Sequence, residues 1–272
     1  MPELPEVEVV RRELAELTKD QPRIEKIEFQ RKDLRDPMPI RKLQLLQGAR
    51  VLSVQRRAKY LLIETDKGGI LSHLGMTGTW RLAVPGDELL HDHIYIYLSN
   101  QVRLAFRDPR RFGIFETFDL NNRQKNPRLK SLGPEPLGSE FSADYLRSKL
   151  KKKKAPIKTA LMDQKLVVGV GNIYASEVLF QSGIRPSKRA DKLTFDQVQL
   201  LVQNIKKVLI KAIESGGSSI SDFASTRGES GSYQDSHQVY GREGEKCVVC
   251  GTVIRQSVMA GRSTFWCPNC QK

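Results

Sequence analysis

The chain has 272 residues, with 45 Lys+Arg against 31 Asp+Glu and a formal net charge of +14. That length accommodates two domains, or one large domain with an appendage, and the cationic excess suits a polyanion such as nucleic acid. With no apolar run long enough to span a bilayer and no recognisable secretion signal, the sequence argues against a membrane role.

The chain opens MPELPEVE. Initiator methionine is usually removed ahead of a small residue, and its removal would leave Pro2 as a free secondary amine. An α-amino group titrates near ~7.7–8.0, so a useful fraction is neutral and nucleophilic near neutral pH. Glu3 follows as a candidate acid or base, and Glu6 and Glu8 add negative charge. The plainer reading is that Pro2 and Pro5 start a helix, since proline suits a first turn. Val7, Val10, Leu14 and Leu17 do recur at helical spacing.

From Ile24 to about Phe118 short β-rich runs follow: IEKIEF, RVLSVQR, KYLLIET, GILSHLG, IYIYLS, VRLAFR and GIFETF. Lys67-Gly68-Gly69 and Ser99-Asn100-Gln101 read as hairpin turns between them. Strands at this spacing predict a β-sandwich rather than a βαβ sheet. The Pro/Gly-rich stretch LGPEPLGSE, residues 132–140, reads as a linker. It separates an N-terminal domain, 1–131, from a helical domain, 141–236, with a terminal module over 237–272.

In the helical part Ser142 opens one helix, KKKKAPIKTALMDQ supplies another and Asn172 opens a third. Thr194 with Gln197 forms a capping box for a fourth. Its apolar face runs Val198, Leu201, Val202, Ile205, Val208, Leu209 and Ile213, and Gly216-Gly217 end it. Lys151 to Lys154 read by themselves as a solvated cationic face. The Ser/Gly-rich stretch 215–236 reads as a loop or a plain linker.

All four cysteines fall in the last 26 residues, as Cys247-x-x-Cys250 and Cys267-x-x-Cys270. This spacing predicts one structural zinc held by four thiolates, with a hairpin between the pairs. So small a module has little core of its own, so metal binding would largely drive its folding. A thioredoxin-like redox role would need one such pair in a βαβ setting, which is absent. Arg255, Arg262, Ser263 and Thr264 lie between the pairs, where the cations can meet phosphates or simply be solvated.

Seven motifs now stand in one order: PELPEVE, AKYLL (58–62), HLGMTGTWR (73–81), DPRRFG (108–113), LGPEPL (132–137), VVGVGNIYASE (167–177) and AGRSTFWC before the third cysteine. Together they resemble the bacterial formamidopyrimidine-DNA glycosylases over essentially the whole chain. The resemblance implies an α+β multidomain fold: an N-terminal β-sandwich with flanking helices, then a C-terminal helical helix–two-turns–helix domain with a zinc-finger β-hairpin. It implies a bifunctional DNA glycosylase and abasic-site lyase of base excision repair, working as a cytoplasmic monomer on double-stranded DNA that contains oxidised purines or abasic sites. Pro2 would form a Schiff base with the sugar and Glu3 would shuttle the proton. Lys59 and Arg262 match positions assigned to β- and δ-elimination. Both are cations, and arginine is a poor proton donor near neutrality, so phosphate positioning explains them equally well.

By the same resemblance Met76, Arg110 and Phe112 fill the hole left by the extruded base. His91, Arg110 and Lys153 match DNA contacts, and Lys158 is a further phosphate-contact candidate. Asn172 stands at a helix start, where N–H groups favour a phosphate; helix capping is its plainer role. The 217–236 segment matches the part that meets the extruded base. The endonuclease VIII branch, which prefers oxidised pyrimidines, typically begins PEGPE, whereas Leu4 here matches the purine branch. A zinc-bearing DNA-binding protein without catalysis fits the charge and the cysteines as well, but has no need of an amine beside a carboxylate.

Overall fold

The computed structural model describes residues 1–219 and 224–272. The chain divides into two compact units: Met1–Lys130 with Ser215–Ser232, and Ser131–Glu214 with Tyr233–Lys272. The break expected at 132–140 lies beside the first boundary. By compactness, residues 215–232 group with the first unit and the cysteine-bearing tail with the second.

The first unit opens with α1 (Leu4–Leu17). Glu3 is its N-cap, in a reciprocal capping box with Glu6, and Pro5 lies in the first turn. The strands are β1 (Ile24–Phe29), β2 (Val51–Arg57), β3 (Tyr60–Thr65), β4 (Gly68–His73), β5 (Thr79–Leu82), β6 (Asp92–Leu98), β7 (Arg103–Arg107) and β8 (Ile114–Phe118). They form two antiparallel four-stranded sheets, ordered β1-β6-β7-β5 and β2-β3-β4-β8. Inward-facing residues of both sheets, among them Val54, Leu61, Ile70, Ile94, Leu104 and Phe106, make one core with Val7, Val10 and Leu14 of α1. Trp80 is fully buried there, edge-on to Phe106, and donates through Nε1 to Ser72. The β3–β4 hairpin pairs Thr65 with Gly68, so its turn is Asp66-Lys67, ahead of the glycines that suggested it. The short helix α2 (Ile40–Gln44) and strand β5 have too little periodicity to be read from sequence.

The second unit holds α3 (Ala143–Leu150), α4 (Ile157–Leu161), α5 (Asn172–Gln181) and α6 (Phe195–Glu214). Ser142 caps α3 by accepting from Tyr145 N, and Thr194 with Gln197 closes the capping box of α6. Gly216 and Gly217 follow α6 with φ of 75° and 79°, a conformation that costs glycine nothing. α5 is buried almost all round and packs on α6 and on the terminal hairpin of β9 (Arg255–Met259) and β10 (Arg262–Trp266). Ala260 and Gly261 join those two strands, both at positive φ, the signature of a type I′ turn. Among the described residues, no helix is long and apolar enough to cross a membrane.

Candidate active site

In the first unit the N-terminus lies where α1 begins. Pro2 is buried, and Glu3 is only 2% exposed, with its carboxylate on the Glu6 amide. Glu3 N in turn donates to Glu6 Oε2 at 2.7 Å. With Met1 attached, the Pro2 nitrogen is an amide and cannot attack, so Met1 must be removed before Pro2 becomes a nucleophile. The Met1 amine reports the setting that a Pro2 amine would occupy. Burial lowers its pKa below 8.0, against the opposing pull of Glu3 and Glu6, and Lys59 and Arg110 lower it further. The environment therefore favours a neutral amine, and it gathers Glu3, Lys59 and Arg110 around one point.

Lys59 sits at the tip of the β2–β3 hairpin and is 6% exposed. Ala58 before it takes a left-handed φ of 55°. The tip is anchored to α1 through Arg56, which donates to the Ala58 carbonyl and to Glu8 Oε2, both at 2.9 Å.

Two turns form a second feature of this unit. The β4–β5 turn carries Met76 and the β7–β8 turn carries Arg110 and Phe112. Asp108, fully buried, joins them: its Oδ1 accepts from Thr77 Oγ1 and its Oδ2 from Gly113 N, each at 2.7 Å. Thr77 Oγ1 in turn accepts from Arg110 N at 3.2 Å. Gly75, at φ 65°, lies so close to the other turn that a Cβ there would be 2.4 Å from the Phe112 carbonyl. The Arg110 guanidinium lies over the Phe112 ring at 4.8 Å, while Met76 and Phe112 are 39% and 43% exposed. Two large apolar side chains held at the surface by a rigid, buried network fit a wedge better than a core that failed to close. His91 adjoins this feature, its carbonyl accepting from Asp108 N.

The second unit holds the remaining candidates. Asn172 is the first residue of α5, but Gly171 occupies the cap position and no side chain caps the helix. Asn172 Oδ1 is buried and accepts no hydrogen bond among the described residues, so the capping role is not made. Lys153 is paired with Asp163 at 2.7 Å. Lys158 corrects its sequence reading. It is 2% exposed, and its Nζ donates to Ser263 O and Thr264 Oγ1, both at 2.9 Å. Burial leaves that ammonium no access to a phosphate; it secures β10 instead. Arg262 is exposed just after the type I′ turn.

Cys247, Cys250, Cys267 and Cys270 form the metal centre. Their sulfurs all lie within 4.8 Å of one another, with Cys250 to Cys267 at 3.5 Å and Cys247 to Cys270 at 3.9 Å. A tetrahedron with Zn–S bonds of about 2.3 Å has edges near ~3.8 Å, so the donor set fits one structural zinc. Phe180, Val239, Ile254 and Phe265 pack around it.

Sequence reasoning missed three groups. Asp108 stood inside a quoted motif, but nothing in the pattern showed that it would bond Thr77. His73 accepts from Gly75 N through Nδ1, and burial and then the charges of Lys59, Arg35 and Arg128 press its pKa to about 4. Glu177, fully buried in α5, accepts the N–H groups of Gln238, Val239 and Tyr240. Its signal was a lone acid in the apolar run NIYASEVLF.

A sandwich with a buried N-terminal carboxylate, followed by a helical unit with a four-thiolate finger, defines a zinc-bearing multidomain α+β protein. Three family models match it in order: the formamidopyrimidine-DNA glycosylase N-terminal domain over 1–115, the formamidopyrimidine-DNA glycosylase H2TH domain over 132–224, and a zinc finger found in FPG and IleRS over 244–272. A curated formamidopyrimidine-DNA glycosylase from Bdellovibrio bacteriovorus is 58% identical, with 100% of both chains covered. Among solved structures, a Lactococcus lactis FPG variant in complex with Fapy-dG-containing DNA superposes with a TM-score of 0.92 at 37% identity, covering 100% of both chains. MutM in complex with carbocyclic 8-oxo-G-containing DNA gives 0.91 at 38% identity, again over 100% of both. The chain belongs to the formamidopyrimidine-DNA glycosylase family.

Proposed function

We propose that this chain excises oxidised purines from duplex DNA and then cleaves the strand at the resulting abasic site. The observation that carries this reading is the setting of the N-terminus. Pro2 and Glu3 are buried there, and burial, with the charges of Lys59 and Arg110, lowers the pKa of the terminal amine. A DNA-binding module without catalysis has no use for that arrangement. The Fapy-dG and 8-oxo-G DNA bound by its structural relatives supports oxidised purines as the substrate class.

Once Met1 is removed, the Pro2 nitrogen attacks C1′ of the damaged nucleotide, and the electrons of the glycosidic bond leave with the base. Glu3 donates a proton as the sugar ring opens, leaving an iminium between Pro2 and C1′. That cation acidifies the C2′ hydrogen. Loss of this proton expels the 3′ phosphate, a second elimination expels the 5′ phosphate, and water releases Pro2 from the sugar fragment. Lys59 and Arg262 stabilise the leaving phosphates as fixed cations, and Asn172 binds phosphate at the start of α5. Met76 and Phe112 fill the vacated stack while Arg110 faces the orphan base. Lys153 and His91 contact the backbone. The four-cysteine site holds zinc as a structural element. The reaction belongs in the bacterial cytoplasm, at the nucleoid during repair.

Borohydride trapping tests this on duplexes carrying 8-oxoguanine, an oxidised pyrimidine or neither. A covalent adduct with the 8-oxoguanine duplex is expected, much reduced in Pro2→Gly, which puts a primary amine in place of the constrained secondary one, and absent in Glu3→Gln, which blocks excision. Trapping preferentially on the pyrimidine duplex would reassign the substrate class. Binding without any adduct would leave a DNA-binding protein only.

A further inference from the structure

α1 presents Glu6 and Glu13 on one face, two turns or ~10.5 Å apart. Each accepts a backbone N–H from the segment that follows α6. Ser218 N donates to Glu6 Oε1 at 2.8 Å and Thr226 N donates to Glu13 Oε2 at 2.5 Å. Both donors are buried residues. The later stem also follows the edge of the sheet: Leu82 N of β5 donates to Thr226 O at 2.9 Å, and Thr79 Oγ1 donates to Ala224 O at 3.2 Å. The two stems are tied to each other as well. Gly231 N donates to Ser219 Oγ at 2.8 Å, and a Cβ on Gly231 would lie 2.3 Å from the Gly217 carbonyl.

The two glutamates differ in one respect. Glu6 is part of the capping box that holds Glu3, so its loss disturbs the N-terminal site directly. Glu13 lies two turns further along α1, and among the described residues its side chain bonds only to the segment. From this asymmetry the geometry points to Glu13 as a positioning residue for substrate selection. It fixes the point where residues 224–226 meet β5, and so sets where the segment meets an extruded base. Cleavage at a preformed abasic site, which has no base to meet, does not need it. This rests on the proposed reading that the 217–236 segment faces the extruded base.

The test uses the full-length, zinc-loaded protein with Met1 removed, in single-turnover reactions on matched duplexes carrying either 8-oxoguanine or a preformed abasic site. Glu13→Ala removes the acceptor. Its expected effect is a loss of tenfold or more, at about the value of a hydrogen bond to a charged group, in 8-oxoguanine excision. Borohydride trapping on the abasic duplex should stay within about twofold, as for a surface change remote from the chemistry. Glu13→Gln keeps an oxygen that can accept from Thr226 N and should recover most of the excision rate. Thr79→Val, which removes the hydroxyl from the same stem, should shift the ratio between substrates in the same direction. Equal losses on both substrates, no loss on either, or a Glu13→Gln variant as slow as Glu13→Ala would overturn the assignment. A parent protein that traps on the abasic duplex yet leaves 8-oxoguanine untouched would overturn the proposed substrate, and this inference with it.

Discussion

Replacing Gly75 by alanine tests whether the two surface turns of the first unit act as one wedge. The added Cβ would lie 2.4 Å from the Phe112 carbonyl carbon and oxygen and 2.6 Å from Gly113 N, all backbone atoms, where ordinary contact begins at 3.4 Å. No side chain can rotate to relieve this, so the turns must part. The left-handed φ of 65° adds strain of its own. Strain and overpacking together cost about 2–5 kcal/mol. Parting the turns moves Phe112, and Arg110 stacked on it, by roughly 1 Å relative to Met76; a misplacement of that size costs on the order of 100-fold in rate. The melting temperature by circular dichroism should therefore fall, and single-turnover excision of 8-oxoguanine, measured well below the new midpoint, should fall about 100-fold. A variant with a lowered midpoint and an unchanged excision rate would refute the claim that the Gly75 contact places the wedge. An unchanged midpoint would refute the packing argument itself.

Arg110→Ala should narrow the preference for cytosine over adenine opposite the lesion by about 1–3 kcal/mol, because a guanidinium can donate to cytosine O2 and N3 but meets an amino group on adenine; equal loss opposite both bases would assign Arg110 to a phosphate instead. Cys267→Ser, or chelation of the metal, should abolish binding to damaged duplex while the β-sandwich keeps its own melting transition, and unchanged binding would make the finger dispensable. Lys158→Met should speed zinc loss to a competing chelator, since the Ser263 carbonyl and Thr264 hydroxyl lose a donor worth about 1–3 kcal/mol; an unchanged rate would remove Lys158 from the support of β10. His73 and His237 are both held near a pKa of about 4, chiefly by burial. Their folded values lie below the unfolded value, so their contribution is present above pH ~6.5 and is lost as pH falls toward ~4, with a slope of at most about 1.4 kcal/mol per pH unit for each. Replacing either with glutamine should flatten the acid side of the stability profile by that amount, and an identical profile would show that the imidazole is not held neutral.

The sandwich was legible because its strands are short runs rich in β-formers with turn residues between them; Ile24–Phe29 has the same limits in sequence and structure. The helices announced themselves through caps, Ser142 and the Thr194–Gln197 pair above all. β5 was not legible, because Thr79–Leu82 is short and its place depends on pairing with β7. Among site residues, those within dense motifs could be named, but their surroundings could not. Lys158 shows why: a lysine in a basic stretch looks solvated, and only the fold brings it to residues 105 and 106 positions away. Asp108 and Glu177 escaped notice for the same reason, since each buried carboxylate is defined by donors from elsewhere in the chain, the Thr77 hydroxyl for one and the amides of 238–240 for the other.

The return of residues 215–232 to the first unit bears on how the protein is made. Glu6 and Glu13 emerge from the ribosome early, yet Ser218 and Thr226 follow 212 and 213 residues later. At synthesis rates of about 5–20 residues per second, that interval is roughly 10–40 s. The N-terminal unit is thus the first begun, yet it is completed only after the second unit's four helices have been translated. A nascent chain stalled after Glu214 would carry a sandwich without that segment and a helical unit without its finger. Vectorial assembly here is interleaved, and the two units reach their final form only near the end of translation.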